Sequence, residues 1–313
     1  MNRYDATNNR LRRGQLVLLD GAIGTEIVRR GVRWRQHGLR SDADKVQAVH
    51  EDYIRAGADV ITTDTFQLTR RTYLNLFHNL EHMRRIGAPG LEHQAAELTR
   101  RAVAVARNAI ATAAVNRPVA IAGSVAPLNH CFRPDLSPPY EEALREHAES
   151  VTLLKDAGVD LILFETMNNL SEAKAALQAG RETGLPLWVS FVLAPGGRKI
   201  LSGEPLGAAA RLAEEMGCDA LLFNCAPPED ISVGLEELLN RSKIPLGAYA
   251  HIGRYDPPSW KFEFHPQFTD TESWPPERYA ESAKRWRELG ATIIGGCCGT
   301  TPAHIRAIRE LVR

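Results

Sequence analysis

Eight short apolar runs, each followed by a segment of helical periodicity, recur along the chain. That alternation limits the fold more than any other feature. The runs lie at 16–19, 60–63, 119–122, 161–164, 187–192, 220–223, 246–250 and 293–294. Short continuous apolar runs read as parallel strands buried on both faces. The helical segments lie at 45–56, 92–115, 140–157, 171–183, 206–216, 231–239, 276–289 and 302–313. Gly57 and Gly158 follow two of them as stop signals, and Ser171 is the expected N-cap of another. Eight strand–helix units predict an α/β chain folded as a (β/α)8 TIM barrel, one domain over residues 14–313. An open doubly wound sheet fits less well. Such a sheet carries Gly-x-Gly-x-x-Gly in its first turn, and the turn here reads Asp20-Gly21-Ala22-Ile23-Gly24.

Charge and cysteine usage narrow the function classes. The 313 residues carry 38 Lys+Arg and 38 Asp+Glu. This balance gives no electrostatic basis for binding nucleic acid or an anionic membrane. Basic clusters at 10–13 and 29–40 read as solvated faces. No apolar run approaches the ~18 residues of a membrane span. Residues 1–13 are polar and basic without an apolar stretch, so a flexible N-terminal arm is expected there, not a signal peptide. Five cysteines, an odd number, do not make a disulfide framework, and a reducing cytoplasm is the expected setting. Nothing in the sequence sets the oligomeric state.

In a barrel of this kind the chemistry lies at the C-terminal ends of the strands. Those ends carry Asp20, Asp64-Thr65, Ser124, Glu165, Ser190, Asn224-Cys225, His251 and Cys297-Cys298. Cys225 follows the sixth run and the cysteine pair follows the eighth. These two flank the seventh, so three thiols can converge. Soft sulfur donors with one open position suit a catalytic Zn2+. Buried apolar cysteines are the alternative, most of all for Cys225. Cys218 reads as core and Cys131 as an incidental loop residue. Adjacent residues on a strand point to opposite sides, so both members of the pair reach one metal only if the chain leaves strand geometry. Gly295, Gly296 and Gly299 would permit that turn. A free thiol is mostly protonated at neutral pH, and metal binding removes the proton. The resulting thiolate can attack an electrophilic carbon such as an onium methyl group.

Five motifs in order carry a resemblance. They are Asp20-Gly21-Ala22-Ile23-Gly24-Thr25-Glu26, the stretch from Gly57 to Gln67 (with Thr63-Asp64-Thr65-Phe66), Phe164-Glu165-Thr166, Phe223-Asn224-Cys225 and the stretch from Gly295 to Ile305 around Cys297-Cys298. Together they resemble the homocysteine S-methyltransferase family over nearly the whole chain. The resemblance implies a zinc barrel with Cys225, Cys297 and Cys298 as ligands. It implies that homocysteine sulfur takes the fourth position while Asp20 and Glu165 hold its amino-acid end. The methyl donor would be S-methylmethionine, S-adenosylmethionine or betaine, and the product methionine. The length is similar to that of stand-alone members, without a cobalamin or folate domain. Trp34 falls where such members carry a tryptophan, and its face could hold an onium group or simply pack. Two departures bear on acceptor and donor. Asp64 stands where the family usually has Asn or another neutral residue, and His251 falls within Tyr249-Ala250-His251-Ile252-Gly253 where Tyr-Pro-Asn is common. Thr65, Ser124, Asn224 and His251 complete the expected substrate contacts. Another thiol or a selenol is the alternative acceptor, and a non-catalytic zinc-binding barrel the alternative class.

Overall fold

A computed structural model describes residues 3–32, 38–71, 94–256 and 267–312. The strands are β1 (Val17–Leu18), β2 (Val60–Thr62), β3 (Ala120–Val125), β4 (Leu161–Met167), β5 (Leu187–Phe191), β6 (Ala220–Asn224), β7 (Leu246–Tyr249), β8 (Arg254–Asp256), β9 (Gln267–Thr269) and β10 (Ala291–Ile294). All except β8 and β9 form one parallel sheet in the order β1-β10-β7-β6-β5-β4-β3-β2. A parallel bridge from Leu19 to Val60 joins β1 to β2, and the Asp20 amide donates to Val60 O at 3.0 Å. The sheet thus returns on itself as the expected TIM barrel. β8 and β9 form a small antiparallel pair within the long segment after β7.

Eleven helices accompany the strands among the described residues: α1 (Arg3–Arg12), α2 (Ile23–Arg29), α3 (Gly38–Ser41), α4 (Ala43–Ala56), α5 (Ala95–Ala113), α6 (Tyr140–Ala157), α7 (Leu170–Arg181), α8 (Leu206–Glu215), α9 (Pro228–Leu238), α10 (Pro276–Glu288) and α11 (Pro302–Val312). α4 shows why they form. Val46, Val49, His50, Tyr53 and Ile54 fall at helical spacing and are all buried. Gly57, at φ +126°, ends that helix. Gly158 ends α6 in the left-handed region at φ +86°. The cap of α7 is Asn169, whose side chain accepts from the Glu172 amide at 2.8 Å. The helix begins one residue earlier than expected, which moves Ser171 inside it.

Strand alternation divides the core in two. Leu161 and Leu163 of β4 face the barrel interior with Val17, Leu19, Ala122, Trp188, Leu222 and Ile293. Ile162 and Phe164 face the helices. Side chains therefore fill the barrel, and only its C-terminal mouth is left to hold a ligand.

The N-terminal segment differs from expectation. Residues 3–12 are a helix, not a frayed arm, and Tyr4, Thr7 and Leu11 are buried. Tyr4 and Leu11 join the interior cluster and close the barrel floor. Tyr4 OH donates to Asp219 Oδ2 at 2.8 Å and accepts from Trp188 Nε1 at 3.1 Å. Arg10 pairs with Asp59 at 2.8 Å, and Arg3 lies 3.8 Å from Asp160. These three aspartates precede β2, β4 and β6, so the helix meets a ring of acids at the floor with two arginines and one hydroxyl. A narrow stripe at i, i+3 and i+7 inside a polar sequence carries this docking, and composition alone hides it.

Candidate active site

The mouth is built by local departures from strand geometry. On β6, Ala220 and Leu222 face inward, so alternation brings Asn224 inward as well. Cys225 then takes a left-handed conformation at φ +49°, rare for a residue with a Cβ. On β4 the register with β5 shifts between Phe164 and Met167, and Thr166 has φ +62°. The irregularity lets both Glu165 and Thr166 line the pocket. Each left-handed non-glycine costs ~1–3 kcal/mol, and such strain concentrates at functional sites.

After β10 the chain leaves strand geometry where the sequence suggested. A Cβ on Gly295 would lie 2.7 Å from Asp20 O, and one on Gly296 would lie 2.3 Å from Thr300 Oγ1. Gly299 has φ +83°. The turn is pinned by Cys297 N donating to Ala250 O at 2.8 Å and by Ile252 N donating to Cys298 O at 2.9 Å. Gly299 N donates to Thr25 Oγ1 at 3.0 Å.

Three thiols converge as a result. The sulfurs of Cys225, Cys297 and Cys298 all lie within 4.8 Å of one another. Cys225 is buried and the other two are half-buried. Tetrahedral zinc at ~2.3 Å from each sulfur sets sulfurs about 3.8 Å apart, and Cys225 Sγ lies 4.0 Å from Cys298 Sγ. The donor set and spacing therefore fit a zinc ion with one coordination position left over. Hydrogen bonds from Cys225 and Cys298 push the Cys297 thiol well below its ordinary pKa. Cys225 is pushed up, first by its bond to Cys297. Asn224 Nδ2 also points at Cys297 Sγ, at 3.9 Å.

Beside the thiols stand three carboxyls lining one pocket, Asp20 and Asp64 buried and Glu165 half-buried. Asp20 accepts from Thr62 N at 2.8 Å and from Thr62 Oγ1 at 3.1 Å. Glu165 accepts from Ser124 Oγ, and from Tyr249 OH at 3.5 Å. Burial raises Asp20 well above the carboxylate range and raises Asp64 and Glu165 to about 7. Among the described residues lining the pocket there is no Lys, Arg or His.

Other expected contacts stand behind the pocket wall. Thr65 Oγ1 donates to Ser124 O at 2.8 Å and lies 2.7 Å from Thr63 Oγ1. Ser124 holds Glu165. Asn224 Oδ1 accepts from Thr166 N at 3.0 Å and from Ser190 Oγ at 2.7 Å, which makes it a brace between β4, β5 and β6. His251 is buried, packs on Phe268 with ring centroids 4.8 Å apart, and is held below its ordinary pKa by burial. Trp34 lies outside the described residues. Sequence reasoning missed Thr62, Phe66, Thr166, Tyr249 and Cys131, all of which line the pocket. Alternation would have found Tyr249, two residues after Gly247 on the inward face. Cys131, set aside as incidental, is buried in the wall, and burial pushes its thiol up to about 12.

A parallel barrel with three convergent thiols and buried carboxyls at its mouth defines an enzyme of thiol chemistry. The family model for homocysteine S-methyltransferase matches residues 17–312, and the chain belongs to that family of methyltransferases. It is 31% identical to homocysteine S-methyltransferase YbgG of Bacillus subtilis, over 95% of each chain. It is 28% identical to a selenocysteine methyltransferase of Astragalus bisulcatus, over 96% of this chain and 93% of that one. The metallated form of the homocysteine methyltransferase MmuM from Escherichia coli superposes with a TM-score of 0.78 at 26% identity, covering 99% of both chains. Among the described residues no helix is long and apolar enough to cross a membrane.

Proposed function

We propose that the protein is a zinc-dependent enzyme that moves a methyl group from an onium donor to the thiolate of L-homocysteine, forming methionine. The observation that carries this is the convergence of Cys225, Cys297 and Cys298 within 4.8 Å beside buried carboxyls. Cys225, Cys297 and Cys298 would hold the zinc, which would supply Lewis acidity that lowers the pKa of the acceptor thiol. The chain's own residues do the rest. Asp20 and Glu165 bind the homocysteine ammonium, and Ser124 and Tyr249 aim the Glu165 carboxylate. Asn224 donates towards Cys297 Sγ and steadies the ligand cluster. The buried walls exclude water from the two reacting sulfurs, which sharpens every charge interaction there.

The test is a panel of donors (S-methylmethionine, S-adenosylmethionine and betaine) with homocysteine and zinc-loaded enzyme, with methionine measured. Methionine formation together with one zinc per chain is expected. Purified protein that binds no zinc and forms no methionine from any donor would sink the proposal. A selenol or a second thiol is the other acceptor to weigh, favoured by the similarity to a selenocysteine methyltransferase. Competition between homocysteine and selenocysteine in the same assay separates the two.

A further inference from the structure

We infer that Tyr279 is a positioning residue for the metal centre: its buried hydroxyl ties the ends of β7 and β10 together and so fixes the turn that aims Cys297. This rests on the zinc reading above and assigns a residue in the helix layer behind the pocket.

Tyr279 lies on α10 and is fully buried. Its hydroxyl is shared between two carbonyl oxygens, Gly295 O at 2.9 Å and Ala250 O at 3.1 Å. Gly295 is the first residue past β10, and Ala250 is the first past β7. Cys297 N donates to the same Ala250 O at 2.8 Å. Ala250 O therefore uses both lone pairs, one on the phenol and one on the amide of Cys297. Gly295 N donates back to Ala248 O at 3.0 Å. The phenol thus closes a ring of hydrogen bonds across the gap between the two strand ends. None of these bonds involves a sulfur, so the turn keeps its shape before metal binds. Burial holds the phenol well above its ordinary pKa, so the proton it donates stays in place.

The ring is itself held in place. Trp286 and His304 meet it edge-on, with ring centroids 5.6 and 5.7 Å away. Thr301 N donates to His304 Nδ1 at 3.1 Å, so Nε2 carries the ring proton and donates to Trp274 O at 3.0 Å. Both carbonyls on the phenol belong to buried residues, where a C=O that loses its donor costs as much as a lost hydrogen bond. A phenylalanine at this position would keep the packing and remove the proton between two carbonyl dipoles. Gly295 would then rotate, since a glycine backbone resists little, and the shift would pass to Cys297 two residues on. A metal ligand must be held within about 0.5 Å of its productive geometry, so loss of this one hydroxyl shows as weaker zinc binding.

The experiment measures the zinc affinity of the full chain by competition with a chelator of known affinity, in wild type, Tyr279→Phe and Tyr4→Phe. Tyr4→Phe is the control, because it removes a buried, hydrogen-bonded hydroxyl at the opposite end of the barrel. Tyr279→Phe is expected to bind zinc about 10-fold or more weakly, the scale for groups that orient a metal ligand. Tyr4→Phe is expected to melt at a lower temperature and to bind zinc as wild type does. Wild-type affinity in Tyr279→Phe, or an equal loss in the two variants, overturns the assignment. If Tyr279→Phe does not fold, hydrogen exchange in metal-free wild type decides. The Cys297 amide is expected to be protected there, and exchange at the rate of an unfolded chain overturns the assignment without any variant. Wild type that binds no zinc overturns the zinc reading itself, and this assignment with it.

Discussion

Cys225 Sγ lies 4.0 Å from Cys298 Sγ across 73 residues of chain. The two belong to the ends of β6 and β10, which flank β7 in the barrel, so the sheet order brings their strand ends close and the turns after those strands aim the sulfurs at each other. Removal of either sulfur leaves two donors where structural chemistry calls for three and an open position. Cys225→Ser and Cys297→Ser are each expected to lose zinc and to lower kcat/KM by ~100-fold or more, the upper range for losing even a residue that supports a metal ligand. Metal content by emission spectrometry, read beside the rate, checks this.

The turn that aims the cysteine pair depends on residues without side chains. A Cβ at Gly296 would meet Thr300 Oγ1 at 2.3 Å, closer than real Cβ atoms come. Gly296→Val is expected to displace Cys297 and lower zinc occupancy while the barrel, whose core lies below the mouth, stays folded. Gly207→Ala serves as the control, since its backbone is not left-handed and the nearest atom to its Cβ position is the Arg211 guanidinium at 3.7 Å. Circular dichroism with metal analysis separates the outcomes, and full zinc content in the valine variant would show that this glycine serves another purpose.

The raised carboxyl of Glu165 gives a pH profile. Burial sets it at about 7 in the free pocket, so it is protonated below that pH and charged above it. An ammonium binds the charged form. KM for homocysteine is therefore expected to fall as pH rises from 6 to 8, and Glu165→Gln should flatten that limb. A KM independent of pH in wild type would argue against this role.

Asp64 also has a stability signature. Its carboxyl has an ordinary value of 3.8, and burial raises it to about 7 in the fold. The folded state holds the proton more tightly, so the contribution is fully present below pH 4 and is lost as pH rises through 7. Asp64→Asn removes that loss. The variant is expected to be more stable than wild type at pH 8 by ~1–3 kcal/mol, with the gap closing towards pH 4. Urea denaturation at the two pH values tests both the sign and the trend.

At the floor, Tyr4 is 3% exposed and bonded to Asp219 and Trp188. Tyr4→Ala is expected to cost ~2–4 kcal/mol through lost packing and two broken hydrogen bonds. A thermal melt unchanged from wild type would show that the helix adds little.

Much of the barrel could be read from the chain because its strands are continuous apolar runs, which few other contexts tolerate. The thiol site was readable for a similar reason, since adjacent cysteines between glycines have few structural uses. What escaped depends on contacts between distant segments. Cys131 reaches the pocket because Asn168 Nδ2 holds the carbonyls of His130 and Cys131, at 3.2 and 3.1 Å. Nothing near Cys131 in the chain announces that clamp. The bracing task of Asn224 was equally hidden, for it is defined by Thr166 and Ser190 on other strands. The stripe of α1 is too short for composition to reveal.

That opening helix sets an order on the making of the molecule. It leaves the ribosome before the strands it docks on, since Asp160, Trp188 and Asp219 are translated much later. Tyr4 and Leu11 must wait as a helix without a seat while most of the strands are made. A nascent chain halted before Asp219 has an open floor and an exposed aromatic ring, the kind of surface that chaperones bind. A segment made ahead of every strand of the barrel is thus among the last to find its place.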